Sequence, residues 1–388
     1  MVNILHRKKG FRAGSLFCLC LFFISQPSCK GDTGAATPPS PPIVVSADTL
    51  PAAAPAATPQ RVDTAVVIGV GDMMLGTNYP SASYLPPNGG RNLLDDVREI
   101  LKSADVTFGN LEGSILDKGG TPKRCRNPEA CYVFRSPESY GQHFADAGFD
   151  FLSIANNHSG DFGYEGRVRT KAVLKEAGIA YAGLAGTDEY AIIERNGLKY
   201  GMAAFAPNSG TCSIHDLAKA RAIVGKLAGE CDIVIVSFHG GAEGASHQNV
   251  PRRPETYVGE NRGDVHKFAH AVIDAGADIV FGSGPHVTRA LELYKDRLIC
   301  YSLGNFCTYG RFSLSGPAGF APVVAVTVDG QGAFLHGKVT PVYQQKTHGP
   351  RIDPQKRAIH KLIELGRADF PETPLEITTE GLLLKKGE

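Results

Sequence analysis

Five short apolar runs in this chain stop at a polar side chain, and they constrain the fold more than any other feature. They are residues 66–72 (VVIGVGD), 106–112 (VTFGNLE), 151–158 (FLSIANNH), 233–239 (IVIVSFH) and 279–286 (IVFGSGPH). Runs of this length, rich in β-branched residues and bounded by Gly, read as buried strands. Their endings are drawn from Asp, Glu, Asn and His. In α/β proteins, polar groups at the carboxyl ends of buried strands build the active site. Five such endings predict convergence on one centre.

The stretches between them set the connections. Residues 165–177 have a helical pattern and end at Gly178, and residues 263–275 repeat the design before Gly276. Asn196-Gly197 predicts a hairpin within 191–206, and further hairpins are expected at Lys295-Asp296 and Asp329-Gly330. Helices alternating with strands, plus added antiparallel pairs, predict an α/β domain with mixed sheets. One pattern occurs twice. Asp146-Ala147-Gly148-Phe149-Asp150 leads through a strand to His158, and Asp274-Ala275-Gly276-Ala277-Asp278 leads through a strand to His286. The shared spacing places the two histidines at equivalent strand ends.

The first 62 residues read differently. Arg7, Lys8, Lys9 and Arg12 precede the apolar run 16–25, the pattern of an export signal. That run is short for a membrane span. Cys29 after Gln26-Pro27-Ser28 resembles a bacterial lipoprotein box, with ordinary signal cleavage nearby as the alternative. Residues 30–62, rich in Ala, Pro and Thr, bury too little apolar surface to offset ordering and read as a disordered linker. The expected organisation is a leader (1–29), a linker (30–62), a globular domain (63–345) and a C-terminal extension (346–388) that packs on the domain or trails it. The localisation expected is exported: a membrane-anchored lipoprotein, or a periplasmic or cell-surface protein. A net charge of +1 gives no sign of nucleic-acid binding. Cys125 and Cys131 flank a Pro-containing loop and could close a ring; their spacing is not that of a zinc knuckle.

Each strand ending carries chemistry and an ordinary alternative. Asp72 offers a hard carboxylate oxygen to a metal, or simply closes a turn. Asn110 and Glu112 face the same way if the strand persists. His158 is a candidate proton-transfer group, with Asp161 placed to fix its tautomer. His239 is a candidate ligand, and Glu243 beside it a substrate contact or a support for it. His286 ends a turn, and Asn305 is a further candidate substrate contact or a turn-forming Asn. His143, His215, His266, His270, His336 and His360 read as surface or structural residues. There is no P-loop, dinucleotide fingerprint or Gly-x-Ser-x-Gly elbow.

Seven short motifs in order carry a resemblance. They are Gly71-Asp72-Met73-Met74-Leu75, Asn110-Leu111-Glu112, Ala155-Asn156-Asn157-His158 with Asp161 and Gly163, His239-Gly240-Gly241-Ala242-Glu243, residues 275–280 (AGADIV), Gly284-Pro285-His286-Val287 and Ser302-Leu303-Gly304-Asn305-Phe306. The chain resembles capsule-synthesis proteins of the CapA type, associated with bacterial poly-γ-glutamate. Those in turn resemble calcineurin-like metallophosphoesterases in fold. The resemblance implies a metallophosphatase-like four-layer sandwich of two mixed β-sheets flanked by helices. It also implies one or two divalent metal ions held by Asp72, Glu112, Asn157, His239 and His286. His158 and Asp161 would be catalytic, with His158 as general acid or oxyanion stabiliser. Asn110, Asn156, Glu243 and Asn305 would bind substrate. Two departures stand out: Met74 and Gly284 occupy places where the phosphoesterases usually carry His. The implied function is capsule or poly-γ-glutamate biosynthesis or processing by metal-assisted hydrolysis or transfer. A cell-envelope phosphoesterase and a non-catalytic polymer-binding assembly component are the alternatives. Expected partners are an anionic polymer or phosphoester substrate, capsule-synthesis machinery, and a membrane reached through Cys29.

Overall fold

The computed structural model describes residues 63–125, 131–346 and 348–387. The expected leader, linker and Cys29 anchor lie outside the described residues. Two mixed sheets dominate. The larger runs Leu375–Ile377, Leu382–Lys385, Phe334–Tyr343, Phe320–Asp329, Thr64–Met74, Val106–Leu111, Phe151–Ser153, Ala180–Ala182, with Asn305–Thr308 and Arg351–Ile352 attached alongside. The smaller runs Leu291–Tyr294, Arg297–Cys300, Ile279–Ser283, Ile233–His239, Leu198–Phe205, Tyr190–Arg195.

Alternation along the strands explains the layering. Val67, Phe108 and Phe151 from the larger sheet pack against Ile235, Ile279 and Phe281 from the smaller one. The opposite face of the larger sheet carries Ile68, Val70 and Leu152 against Phe144, Val173 and Leu174 of the helices Tyr140–Ala147 and Gly163–Glu176. The outer face of the smaller sheet packs Val234, Val236 and Val280 on the helices Leu217–Glu230 and Val265–Ile273. The order is therefore helix, sheet, sheet, helix, the α/β four-layer architecture expected from the sequence. Residues 357–385 contribute the helix Arg357–Asp369, with Ile359 and Leu362 in the inter-sheet core, and two strands at the edge of the larger sheet.

Phe281 sits at the middle of the inter-sheet layer. It is fully buried and stacks on Phe108 at 5.3 Å. A Cβ at Gly69 would come within 2.3 Å of its ring, so the glycine makes room for it. Phe281→Ala should destabilise the fold by roughly 3–5 kcal/mol. Urea unfolding followed by circular dichroism checks this, and a loss below about 1 kcal/mol would contradict the packing.

The duplicated pattern has a physical reason. Asp150 Oδ2 accepts from Thr107 N at 2.9 Å, and Asp278 Oδ2 accepts from Val234 N at 2.7 Å. Asp105 does the same for Val66 N at 2.8 Å, and Asp232 for Lys199 N at 2.8 Å. In each case an Asp preceding one parallel strand satisfies an N–H at the start of its neighbour. This fixes register at one end of each sheet and sets where the opposite, carboxyl ends finish. The Asn196-Gly197 and Lys295-Asp296 turns both have two consecutive positive φ values, as tight hairpins require. Cys125 and Cys131 form a disulfide; Cys212, Cys300 and Cys307 are buried free thiols. No helix among the described residues is long and apolar enough to cross a membrane.

Candidate metal centre

The site lies where the carboxyl ends of strands from both sheets meet. A register shift in Thr64–Met74 creates its first ligand. Ile68 and Val70 face the outer helices, yet so do Met73 and Leu75. The parity flips across an irregularity between Gly69 and Asp72. A bulge of this kind moves the next side chain to the other face. Asp72 thereby looks across to the smaller sheet, where His286 Nδ1 lies 3.0 Å from its Oδ2. Gly71 permits the bulge, because a Cβ there would lie 1.9 Å from Gly304 O.

Glu112 follows the strand Val106–Leu111, and its N–H still bonds Met73 O at 2.9 Å, so the pairing carries it into the same centre. Its carboxyl is fully buried. His286 Nε2 stands 3.5 Å and His158 Nε2 3.8 Å from Glu112 Oε1. His239 ends Ile233–His239, is fully buried, and has Nδ1 3.2 Å from Ser283 Oγ. Ser283 Oγ itself donates to Phe238 O, Asn110 Nδ2 lies 3.4 Å from the same His239 Nδ1, and His239 Nε2 is buried with no partner. His286 adopts φ +59, a left-handed backbone uncommon outside Gly, which aims its ring back into the site.

Buried atoms without partners show what the site lacks. Both Glu112 carboxyl oxygens, His239 Nε2 and Asn157 Oδ1 are buried with no hydrogen-bond partner. Leaving such groups unpaired costs about 1–3 kcal/mol each. Asp72, Glu112 and His239 offer ligand atoms that all lie within 4.8 Å of one another. Hard oxygens with imidazole nitrogen at that spacing suit one divalent ion. The residues present fit that ion. A second grouping, His266, His270 and Glu292, satisfies itself: His270 Nε2 bonds Glu292 Oε2 at 2.9 Å and Tyr301 Oη donates to the same oxygen at 2.6 Å.

Electrostatics agree with the geometry. Burial, helped by the Asp72 and Glu243 carboxylates, holds the Glu112 pKa well above its ordinary value. Burial pulls His286 down, but Glu112 and Asp72 beside it outweigh burial and lift it to about 10. Burial, with Arg262 close by, holds His239 well below its ordinary value, so it stays neutral.

His158 is buried and donates from Nδ1 to Asp161 Oδ2 at 2.8 Å. Asp161 is fixed by Phe134 N at 2.7 Å and Lys123 Nζ at 2.6 Å. Burial lowers the His158 pKa despite Asp161. With its proton on Nδ1, the ring presents a lone pair at Nε2.

Three residues read as substrate contacts are spent elsewhere. Asn110 Nδ2 donates to Asp72 Oδ1 at 2.9 Å, and its Oδ1 accepts from Asn156 Nδ2 at 3.1 Å. Asn156 also donates to Leu111 O at 2.8 Å and accepts from His158 N at 3.1 Å. Asn305 Oδ1 lies 3.1 Å from His286 Nδ1, and its Nδ2 donates to Ala318 O at 3.1 Å. All three are buried, and these bonds position their neighbours. Glu243, partly exposed, contacts Arg262 and lies 4.0 Å from His286 Nε2; the support expected for His239 comes from Ser283 instead.

Sequence reading missed Lys123, Arg262, Phe134 and Phe312. Phe134 packs on His158 at 4.3 Å and stacks on Phe312 at 5.2 Å, and Phe312 meets His286 edge-on at 5.2 Å. The two rings wall one side of the centre. Nothing in the sequence distinguished the two cations.

An α/β sandwich with carboxylates and histidines meeting at its strand ends is the class defined by the fold and site. The chain belongs to the family described as bacterial capsule synthesis protein PGA_cap, whose model matches residues 66–309. It is 29% identical over 260 residues to the capsule biosynthesis protein CapA of Bacillus anthracis, covering 61% of this chain and 58% of that one. It is 26% identical over 256 residues to the PGA biosynthesis protein CapA of Bacillus subtilis, covering 61% of each. The chain therefore spans about three fifths of the length of these relatives. Among solved structures, a 5′-nucleotidase precursor from Thermus thermophilus superposes with a TM-score of 0.39 at 14% identity, covering 79% of this chain and 59% of that one.

Proposed function

We propose that this protein is an exported, metal-dependent enzyme that hydrolyses or transfers an anionic polymer of the poly-γ-glutamate type during capsule biosynthesis. The observation that carries the reading is the set of buried, unpartnered ligand atoms on Glu112, His239 and Asn157. Asp72, Glu112 and His239 would hold a divalent ion, with Asn157 and His286 completing its surroundings. A bound ion would act as a Lewis acid on the oxygen of the bond being cleaved. His158 Nε2 accepts the proton of the attacking oxygen, while Asp161 holds the ring in the required tautomer. Lys123, 2.6 Å from Asp161, orients that carboxylate. Phe134 and Phe312 exclude water from one side. Export rests on the basic start and apolar run of the leader, and a lipid anchor at Cys29 would hold the domain near the membrane that capsule machinery occupies.

The test is incubation of the full chain, loaded with Mn(II), with poly-γ-glutamate and with a phosphodiester such as bis-p-nitrophenyl phosphate. Shortening of the polymer supports the proposal. Phosphodiester cleavage alone moves the assignment to an envelope phosphoesterase. Metal binding without turnover of either replaces it with an assembly role.

The pKa shifts predict how ion binding depends on pH. Burial pulls the His286 pKa down, but Glu112 and Asp72 outweigh burial and lift it to about 10, so in the metal-free protein His286 carries a proton near neutrality. A raised pKa means a proton that is present below it and lost above it. An entering cation displaces this proton, so affinity rises with pH. About one proton should leave per ion at pH 7. Calorimetry in buffers of different ionisation enthalpy reads that number, and a value of zero would contradict the assignment.

A further inference from the structure

We propose that the buried guanidinium of Arg262 is the fixed second cation of a one-ion centre, standing in the place where a two-metal site would put its other ion. This rests on the metal-centre reading above. Arg262 lies in the short strand Glu260–Gly263 and is 2% exposed. Its Nε donates to Gly241 O at 3.0 Å, and its own carbonyl accepts from Gly241 N at 2.9 Å, so it is clamped to the turn that follows His239. Its Nη2 is buried, has no hydrogen-bond partner, and sits 3.2 Å from Glu243 Oε1.

Gly284 shows what space this guanidinium takes. The residue has φ +106, and a Cβ there would lie 3.0 Å from Gly240 N and 3.2 Å from both Arg262 Nη2 and His239 Cδ2. A side chain at that position would be strained and would crowd its neighbours, and the positive group beside it is an arginine. Charge balance points the same way. Asp72, Glu112 and Glu243 supply three carboxylates around the centre, with Arg262 as the permanent cation among them. The Asp161 charge is matched separately by Lys123. With neutral histidines, one divalent ion brings the group to zero. Two ions would leave a surplus of two positive charges in a buried site, which is strongly unfavourable. Once an ion is bound, the guanidinium attracts the oxyanion of a substrate.

A structural role and this role predict different signs. Removing a cation should strengthen divalent-ion binding and weaken anion binding together. A packing defect should weaken both. The experiment titrates full-length wild type, Arg262→Met and Arg262→Lys with Mn(II), then titrates the loaded proteins with inorganic phosphate. Wild type should bind one Mn(II) per chain. Arg262→Met should bind Mn(II) about tenfold more tightly, or admit a second ion, and bind phosphate about tenfold more weakly. Arg262→Lys, which keeps the charge, should keep one ion and stay near wild type in both. Two ions in wild type, or a variant in which both affinities fall or neither changes, overturns the inference. Should Arg262→Met not fold, the wild-type stoichiometry decides: one ion supports it and two refute it. Absence of any ion in wild type sinks the metal centre itself, and this inference with it.

Discussion

His158→Ala is expected to slow turnover by roughly 10²–10⁴-fold while bound metal stays at the wild-type level. The ring approaches Glu112 only to 3.8 Å and takes its own orientation from Asp161. On the proposed reading it transfers a proton and does not hold the ion. Asp161→Asn should reproduce part of the loss, since an amide NH2 facing Nδ1 would favour the opposite tautomer. The pH profile separates the two variants. The wild-type rate should fall in acid as Nε2 becomes protonated, at a pH below the ordinary histidine value because burial lowers this group. That acid limb should disappear in His158→Ala. Rates on poly-γ-glutamate, with metal content measured on the same samples, check both points. Full activity in the metal-loaded alanine variant would remove His158 from the mechanism.

Glu112→Gln should abolish tight ion binding and yet make the metal-free protein more stable. In the absence of an ion, both Glu112 oxygens are buried without partners, and burial disfavours the charged form. A neutral amide of the same shape removes the charge that must be desolvated. The gain at pH 8 should be about 1–3 kcal/mol. It should shrink as pH falls toward the range where the native carboxyl is already protonated. For the ion the sign reverses, because a carboxylate ligand has gone, and affinity should drop by at least about tenfold. Thermal melts with and without Mn(II) read both effects: wild type should gain stability from the ion, and the variant should not. A variant less stable than wild type without metal would mean that Glu112 has a structural partner.

The strand ends were legible because burial and chemistry disagree there. An apolar run that stops at Asp, Glu or His places a polar group where a sheet meets solvent or a site. Asp72, Glu112, His158, His239 and His286 are brought together on that basis. The repeated Asp-to-His spacing was legible too, and its cause lies in Asp150 and Asp278 holding neighbouring strand starts. What could not be read was which polar atoms the fold consumes. Asn110, Asn156 and Asn305 look like ligand-binding amides in sequence, but each is spent on a neighbour from a distant segment. Nor does the sequence reveal what topology imports. Lys123 precedes a disulfide loop, Arg262 sits in a two-stranded ribbon, and Phe134 and Phe312 come from unrelated connections. Each reaches the centre only through three-dimensional packing, and no local pattern marks it. The bulge at Gly71 is intermediate: the glycine was visible, but the parity change that aims Asp72 across the sheets was not.

Anomalous diffraction from crystals of the Mn(II)-loaded full-length protein, paired with metal analysis of the same preparation, tests the central claim most directly. The account predicts one ion per chain and one anomalous peak bounded by Asp72, Glu112 and His239. Protein that takes up no ion, or a peak that lies away from these three residues, would contradict it.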